Sequence, residues 1–395
     1  MDTDEKPTEV MAVGSWRSAV YLCAFATQMS FNITLLAVPI YALRLGASDL
    51  LIGVIGAVGG VTYASAARFF GAVSDRFSRR LLISVALGVQ AAACLLFSFI
   101  DAAGLLAFAR FLQAAGAGLF WPVIEALVAD LAPEERLDKS LRGYNLGWGI
   151  GSIIGPQVGG LLISLISIKA PFYFSAATCL AMIPVTASTR TPRRNPSRPQ
   201  LSQASGEKTV KVRASRRVYA ALISGVLFSF NGGIVATLFP AFATRLEVPP
   251  YTIGMLFLLS GLTQTAVFAQ ADGVAAKLGL KASLLAGSSI FSLSLLVIPF
   301  TSSLSVYIAS FAGQGVALGL LYATSLSLIL RESGAQHGKA AGMWESTLGA
   351  GFFIGPLIGG ALADASETAP YLLGASASAL MAALQFRLLH RDSET

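Results

Sequence analysis

Gly151-Ser152-Ile153-Ile154-Gly155-Pro156-Gln157-Val158-Gly159-Gly160 has a near copy 200 positions later, Gly351-Phe352-Phe353-Ile354-Gly355-Pro356-Leu357-Ile358-Gly359-Gly360. Gly147, Gly151, Gly155 and Gly159 recur every fourth residue, which puts them on one stripe of a helix. A stripe without side chains lets a second helix approach closely, and Pro156 beside it is a place to kink. Helix packing alone is a sufficient reason for such a stripe. The copy is not isolated. Ser30-Phe31-Asn32, then Pro39, then Ala42-Leu43-Arg44-Leu45 is matched by Ser229-Phe230-Asn231, then Pro240, then Ala243-Thr244-Arg245-Leu246. Two long matches with nearly one displacement point to duplication, so the chain reads as two related halves. Repeated halves place a substrate site at their interface, near the membrane midplane, reachable by rocking one half against the other.

Composition says where these halves reside. Hydrophobic residues make up 54% of 395 and charged residues 12%, about half the ~25% of a soluble domain. Mean hydropathy is +0.68. A lipid bilayer can cover that much apolar surface, and one span needs roughly 20 apolar residues. Spans are expected at 17–41, 50–70, 81–100, 104–129, 141–165, 170–189, 217–244, 251–271, 282–300, 304–330, 340–363 and 369–387. The predicted fold is an all-α membrane protein: twelve transmembrane helices in two pseudo-symmetric six-helix bundles. The bundles are expected at 17–189 and at 217–395, the latter with a short tail. Residues 1–16 form an N-terminal tail and 190–216 a polar linker. The linker opens Arg190-Thr-Pro-Arg-Arg-Asn-Pro-Ser-Arg-Pro, a composition that prevents a packed core. It reads as a tether, with anionic-lipid binding as the lesser alternative.

Charge orients the chain. Residues 1–16 carry Asp2, Asp4, Glu5 and Glu9 against Lys6. This is unlike the basic start of a secretory signal, so span 1 is expected to be retained. With the N-terminus in the cytoplasm, 23 Lys and Arg fall on the inner side and only Arg44, Lys169 and Arg245 on the outer. That follows the positive-inside rule with both termini cytoplasmic, in a plasma (cytoplasmic) membrane. Cys23, Cys94 and Cys179 lie within spans and lack metal-ligand spacing; they read as core packing, and no metal is expected.

The loop after span 2 reads Gly71-Ala-Val-Ser-Asp75-Arg76-Phe-Ser-Arg79-Arg80. Asp75 and the three arginines can pair with charges on neighbouring helix ends, making a latch that forms in one conformation and breaks in another. An ordinary basic turn is the simpler reading of the composition alone. Here the chain resembles the major facilitator superfamily, whose signature loop between spans 2 and 3 has glycine, Asp-Arg and a basic pair. Arg110-Phe-Leu-Gln113-Ala-Ala-Gly116-Ala-Gly118 in span 4 resembles the family's second motif. The span 5 stretch (Gly147, Gly151, Gly155, Pro156, Gly159, Gly160) resembles the third, associated with drug/proton antiporters. Ala170-Pro-Phe-Tyr-Phe174 also looks like the efflux branch. The resemblance implies a twelve-helix, two-bundle transporter and a role for the glycine motif in sealing or bending the interface. It also implies that Asp130, at the inner end of span 4, meets Arg79.

Charges at membrane depth are costly and point to function. Arg110 lies about six residues into span 4, where Gln113 or a carbonyl could simply satisfy it; in the resembling family the matching Arg serves proton relay or cavity electrostatics. Glu125 lies about one turn from the inner end of span 4 and could snorkel to the surface. Glu345 lies about 8 Å inside span 11 at ~1.5 Å per residue, a depth that raises a carboxyl pKa by desolvation and suits proton coupling. Span 1 lacks the acid that many drug/proton antiporters of the resembling family carry there, so either Glu125 and Glu345 carry coupling or coupling is different. Spans 1, 4, 7 and 10 line the cavity in the resembling fold. This makes Gln28, Asn32, Gln113, Trp121, Asn231, Gln314 and Tyr322 cavity candidates, although each residue type is also common in packing. Such a pocket favours amphipathic or weakly charged substrates over phosphates or dicarboxylates.

The leading functional expectation is proton-coupled efflux of small amphipathic or lipophilic compounds by alternating access. The alternatives are uptake or export of a specific sugar or amino acid, and a non-transporting membrane receptor on the same scaffold. A static receptor has no need of a latch. Enzymatic activity is not expected: His337 and His390 are the two histidines, and the glycine motifs sit in apolar spans where a phosphate cradle makes no sense. No cofactor and no nucleic acid is called for. The expected partners are a small-molecule substrate, protons and the lipid bilayer, with the chain a monomer. The halves are unequal where chemistry is concentrated. Gly71-Ala-Val-Ser-Asp75 becomes Gly273-Val-Ala-Ala-Lys277, Arg110 aligns with Phe311, Gln113 with Gln314, and Glu345 with Asn145.

Overall fold

A computed structural model describes residues 7–73, 77–132, 137–187, 216–332 and 337–390. Their regular structure is helical. The first half contributes α1 (Pro7–Arg44), α2 (Asp49–Val73), α3 (Arg79–Phe99), α4 (Leu106–Leu131), α5 (Leu137–Leu165) and α6 (Ala170–Ala187). The second contributes α7 (Arg216–Arg245), α8 (Pro250–Ala269), α9 (Ala271–Val297), α10 (Leu304–Glu332), α11 (His337–Ala365) and α12 (Ala369–His390). Among the described residues, twelve helices are long and apolar enough to cross a membrane. This is the number expected from apolar runs of about 20 residues. The chain is therefore a multi-pass membrane protein. α9 is broken at Gly279, where φ is 73° and ψ 166°, a conformation that suits glycine; its apolar span runs from Gly279 to Phe300.

The duplication extends to turn chemistry. After α1, Gly46 N donates to Leu43 O (3.0 Å) and Ala47 N to Ala42 O (3.0 Å). After α7, Glu247 N donates to Thr244 O (3.1 Å) and Val248 N to Ala243 O (3.0 Å). Both turns carry a left-handed residue, Gly46 with φ 77° and Glu247 with φ 60°, the usual way to close a helix C-terminus.

The helices form two compact units. One holds α1 up to Val38, α2 from Thr62, and α3–α6; the other holds Pro39–Val61 and α7–α12. The sequence grouped all of 17–189 together, so residues 39–61 depart from expectation. Glycines explain how they pack in the second unit. A Cβ on Gly53 would strike Pro356 O. One on Gly56 would lie 2.6 Å from Thr237 Cγ2, and one on Gly60 would lie 3.2 Å from Phe352 O. Bare backbone on that face of α2 lets α11 and α7 come close.

Each unit has its own core. In the first, Val20 and Cys23 of α1 pack with Leu87 of α3 and Phe120 and Ile124 of α4. In the second, Phe239 of α7 meets Phe311 with ring centres 4.7 Å apart and Tyr307 at 5.7 Å.

Candidate functional site

The glycine stripe of α5 lies against α1. A Cβ on Gly147 would sit 2.8 Å from Tyr21 O, on Gly151 2.5 Å from Phe25 O, on Gly155 2.8 Å from Met29 O, and on Gly159 3.0 Å from Ile33 O. Each step of four on α5 thus meets a step of four on α1. The contact is backbone to backbone over three successive turns, too close for any side chain. Gly160 follows in α5 and is also buried. The α1 residues singled out as polar belong to this same seam. Gln28 Nε2 donates to Ser152 Oγ at 2.8 Å, and Asn32 Nδ2 donates to Gln28 O at 3.0 Å.

Arg110 is buried in the first unit. Its Nη1 donates to Gln113 Oε1 at 2.7 Å, and its guanidinium lies 4.8 Å from the Phe31 ring centre. Gln113 Nε2 in turn donates to Thr34 Oγ1 at 2.6 Å and reaches Cys94 Sγ at 3.9 Å. Thr34 Oγ1 passes its own hydrogen to Phe31 O at 2.8 Å. Among the described residues, Arg110 has no carboxylate partner; an amide and a ring face hold it instead. Thr34 and Cys94 are members of this chain that sequence reasoning did not connect. Nothing in α1 or α3 marks them apart from their polarity.

Glu125 is exposed along α4 and accepts a 3.1 Å hydrogen bond from the hydroxyl of buried Tyr144 in α5. Tyr144 meets Trp121 edge-on at 6.4 Å. A carboxylate at span depth thus meets one aromatic residue, Tyr144, which in turn packs on Trp121. Arg110 and Glu125 are separated by the run from 110 to 125 on one helix, about 22 Å at ~1.5 Å per residue, so no direct proton handover joins them. Glu345 belongs to α11, but its side chain lies outside the described residues, as do Asp75 and Arg76.

Of the other residues expected to form a latch, Arg79 Nε donates to Asp130 Oδ2 at 2.5 Å, forming an ion pair between α3 and the end of α4. Arg80 follows Arg79 in α3, half-buried, and Gly71 lies near Pro122 Cβ, 3.9 Å from where its own Cβ would be.

The amides of the second unit are packing elements. Asn231 is fully buried and donates to Ser378 Oγ of α12 at 2.8 Å, so it faces α12 rather than an open cavity. Gln314 is buried and donates to Ser310 Oγ one turn earlier at 3.1 Å. Tyr322 is half-buried, in a ring cluster with Phe228 (5.4 Å), Phe268 (5.6 Å) and Trp344 (5.5 Å). Each of these amides thus makes a hydrogen bond inside its own unit: Gln113 to Thr34 of α1, Asn231 to Ser378 of α12, and Gln314 to Ser310 of its own helix.

A second charged group was not anticipated. Arg245, at the end of α7, donates from Nη1 and Nη2 to Asp49 Oδ2 and Oδ1 at 2.9 and 2.8 Å, with Glu367 Oε1 at 3.4 Å. Asp364 Oδ1 accepts from Leu50 N at 3.0 Å, capping the start of α2. All lie in the second unit.

Among the described residues, twelve apolar helices in two halves of matching sequence, each with a glycine seam, define a polytopic membrane protein. The chain belongs to the Major Facilitator Superfamily, whose family profile matches residues 20–269 and 221–395. Multidrug resistance protein 1 of Bacillus subtilis is 26% identical over 306 residues, covering 75% of this chain and 76% of that protein. Quinolone resistance protein NorA of Staphylococcus aureus is 22% identical over 368 residues, covering 91% and 92%. Among solved structures, the nucleoside transporter NupG superposes with a TM-score of 0.79 at 14% identity, covering 94% of this chain and 99% of that one. The peptide transporter POT gives 0.77 at 14%, covering 95% and 94%. These two likenesses establish the fold.

Proposed function

We propose that this transporter exports small amphipathic or lipophilic compounds by alternating access, driven by protons that load at Glu125. The observation that carries this reading is the exposed Glu125 carboxylate bonded to Tyr144, whose ring packs edge-on against Trp121. A carboxylate beside an aromatic ring offers a lipophilic cation both charge and a π face. A proton and such a cation would compete for the same oxygens, and competition at one carboxylate couples their opposite movements. The drug-resistance names of the two curated relatives support the same substrate class. Arg110 holds the α1–α4 packing and sets a positive potential within the first unit; its distance from Glu125 makes it a structural support rather than a relay partner. Glu345 is the second coupling candidate. In this reading both termini are cytoplasmic in the plasma membrane, the working unit is a monomer, and Arg79–Asp130 with the Asp75 loop is the inner latch.

The test uses inside-out vesicles with an imposed pH gradient and a fluorescent lipophilic cation. The parent is expected to take up the cation, and Glu125→Gln to lose at least tenfold of gradient-driven uptake while keeping downhill exchange. Equal uptake by the parent, Glu125→Gln and Glu345→Gln would remove proton coupling at either acid. Uptake of nucleosides, dipeptides, sugars or amino acids in place of the cation would establish the polar-metabolite alternative. That alternative needs free amide groups: Gln113 is bonded through both of its amide atoms, whereas Asn231 keeps an unpartnered Oδ1.

A further inference from the structure

We propose that Asp49, Arg245 and Glu367, with Asp364, form an ion-pair gate that holds the outer end of α2 against α7 and α11 in one transport state and opens in the other. This rests on the alternating-access reading, but on neither protons nor any substrate.

Three features carry the inference. First, the geometry is specific. Arg245 grips both oxygens of Asp49, a fork-to-fork pairing stronger and more directional than a single bond. Asp364 meanwhile holds the first turn of α2 through Leu50 N. The acids come from the α1–α2 turn and the α11–α12 turn, the cation from the end of α7. Second, the cluster is built to separate. It borders a cavity of about 280 Å³ lined by Ser48, Asp49, Arg245, Asp364, Ser366 and Glu367. Water entering that polar space would hydrate the charges once parted, so breaking the pair does not strand an ion in apolar surroundings. Below it α2 meets α7 and α11 over Gly53, Gly56 and Gly360, where bare backbone receives Thr237 and Pro356. Third, the cluster is absent from the pseudo-equivalent place. Arg44 matches Arg245, but Pro250 stands for Asp49, Ser164 for Asp364 and Ser167 for Glu367. Arg44 is exposed and, among the described residues, makes no ion pair. Packing of the repeats does not require these charges, since one copy does without them.

Residues 39–61 belong to the first half in sequence and pack in the second unit. Rocking of the halves would have to withdraw this segment, and the ion pair sits where withdrawal begins. By the distribution of Lys and Arg, this is the outer side, opposite Arg79–Asp130.

Thr237 supplies a reporter. It is buried and lies under α2, within 2.6 Å of where a Gly56 Cβ would be. In a chain with Cys23, Cys94 and Cys179 replaced by alanine, Thr237→Cys is labelled with a membrane-impermeant maleimide in right-side-out vesicles. Asp49→Asn is expected to raise the labelling rate at least tenfold. The double exchange Asp49→Arg with Arg245→Asp is expected to return it to within threefold of the parent. A Cys at exposed Ser302, between α9 and α10 and outside this cluster, serves as the control that should not change. Unchanged Thr237→Cys labelling in Asp49→Asn, alongside a rise in Gly56→Leu, overturns the gate and leaves alternating access standing. No labelling in either variant overturns alternating access itself. Loss of folded protein in Asp49→Asn without restoration by the double exchange overturns the gate in favour of a purely structural ion pair.

Discussion

Arg110 and Phe311 occupy equivalent positions in the two halves, and their surroundings have diverged around them. In the first half a buried cation is held by Gln113, Thr34 and the Phe31 face. In the second the same place is a ring stack, with Phe311 4.7 Å from Phe239 and 5.3 Å from Phe257. The two solutions answer one problem, filling the inside of a six-helix unit in a solvent that gives no hydrophobic reward for burial. The aromatic half relies on van der Waals contact. The charged half relies on hydrogen bonds that must all be made, and gains a group able to respond to charge. The largest expected effect follows from exchanging them. Phe311→Arg puts a cation among rings, at a cost of about 2.5–3.5 kcal/mol on insertion scales. Arg110→Phe leaves Gln113 Oε1 without its donor, a loss of about 1–3 kcal/mol. Thermal unfolding of the purified variants in detergent should rank Phe311→Arg well below Arg110→Phe; equal losses would mean the two cores are interchangeable.

The glycine seams agree in their middle and differ at one end. Gly155 and Gly355 both face backbone, Met29 O and Phe230 O. Gly159 faces Ile33 O at 3.0 Å, a backbone atom that cannot swing aside, whereas its counterpart Gly359 faces Leu238 Cδ1 at 2.9 Å and Ile234 Cγ1 at 3.2 Å, side chains with other rotamers. Gly159→Ala should therefore cost the upper part of the overpacking range, about 3 kcal/mol, and Gly359→Ala about 1 kcal/mol. The same unfolding series reads both. A Gly359→Ala loss as large as that of Gly159→Ala would show that this end of the α7–α11 seam is as rigid as its counterpart.

The paired amides sharpen the contrast further. Gln113 satisfies a charge and two neighbouring helices, whereas Gln314 bonds a serine one turn back on its own helix. Gln113→Leu should cost about 1.5–3 kcal/mol, the range for a hydrogen bond to a charged group, and Gln314→Leu about 1 kcal/mol. Flux gives a second readout: the first variant should lose transport in proportion to lost folded protein if Arg110 is a support rather than a relay.

The sequence announced the scaffold more plainly than the chemistry, for physical reasons. A run of about 20 apolar residues has few places to go but a bilayer, and the duplication left two copies of each turn to compare. Which face of a span meets protein is another matter. In lipid both faces are apolar, so the polar/apolar stripe that orients a soluble helix is absent. Asn231 and Gln28 look alike in sequence, yet one turns to α12 and the other to α5. Arg79–Asp130 was legible because both residues sit in recognisable loop motifs. Asp49 and Arg245 were not, because charges at span ends are ordinary and nothing local says which two of them meet across 196 positions. The placement of residues 39–61 in the second unit was hidden for the same reason: Gly53, Gly56 and Gly60 announce a close contact without naming the partner.

The smallest expected effect isolates the backbone from everything else. Gly46 and Glu247 close the same turn in the two halves with φ of 77° and 60°. A Cβ on Gly46 would meet nothing within 4 Å, so replacing it tests conformation alone. A left-handed residue with a side chain costs about 1–2 kcal/mol, and removing glycine from the unfolded chain returns about 0.4–1 kcal/mol. Gly46→Ala should thus lose about 0.5–1 kcal/mol, and Glu247→Gly should gain a similar amount, since the second half already carries the strain. Opposite shifts in unfolding temperature would show that the copies kept one turn geometry while only one kept the residue suited to it. Shifts of the same sign would mean that the Glu247 side chain makes a compensating contribution, and that the turn at the end of α7 has acquired a purpose its counterpart lacks. Position 247 lies two residues beyond Arg245, so that outcome would also tie the turn to the ion-pair gate.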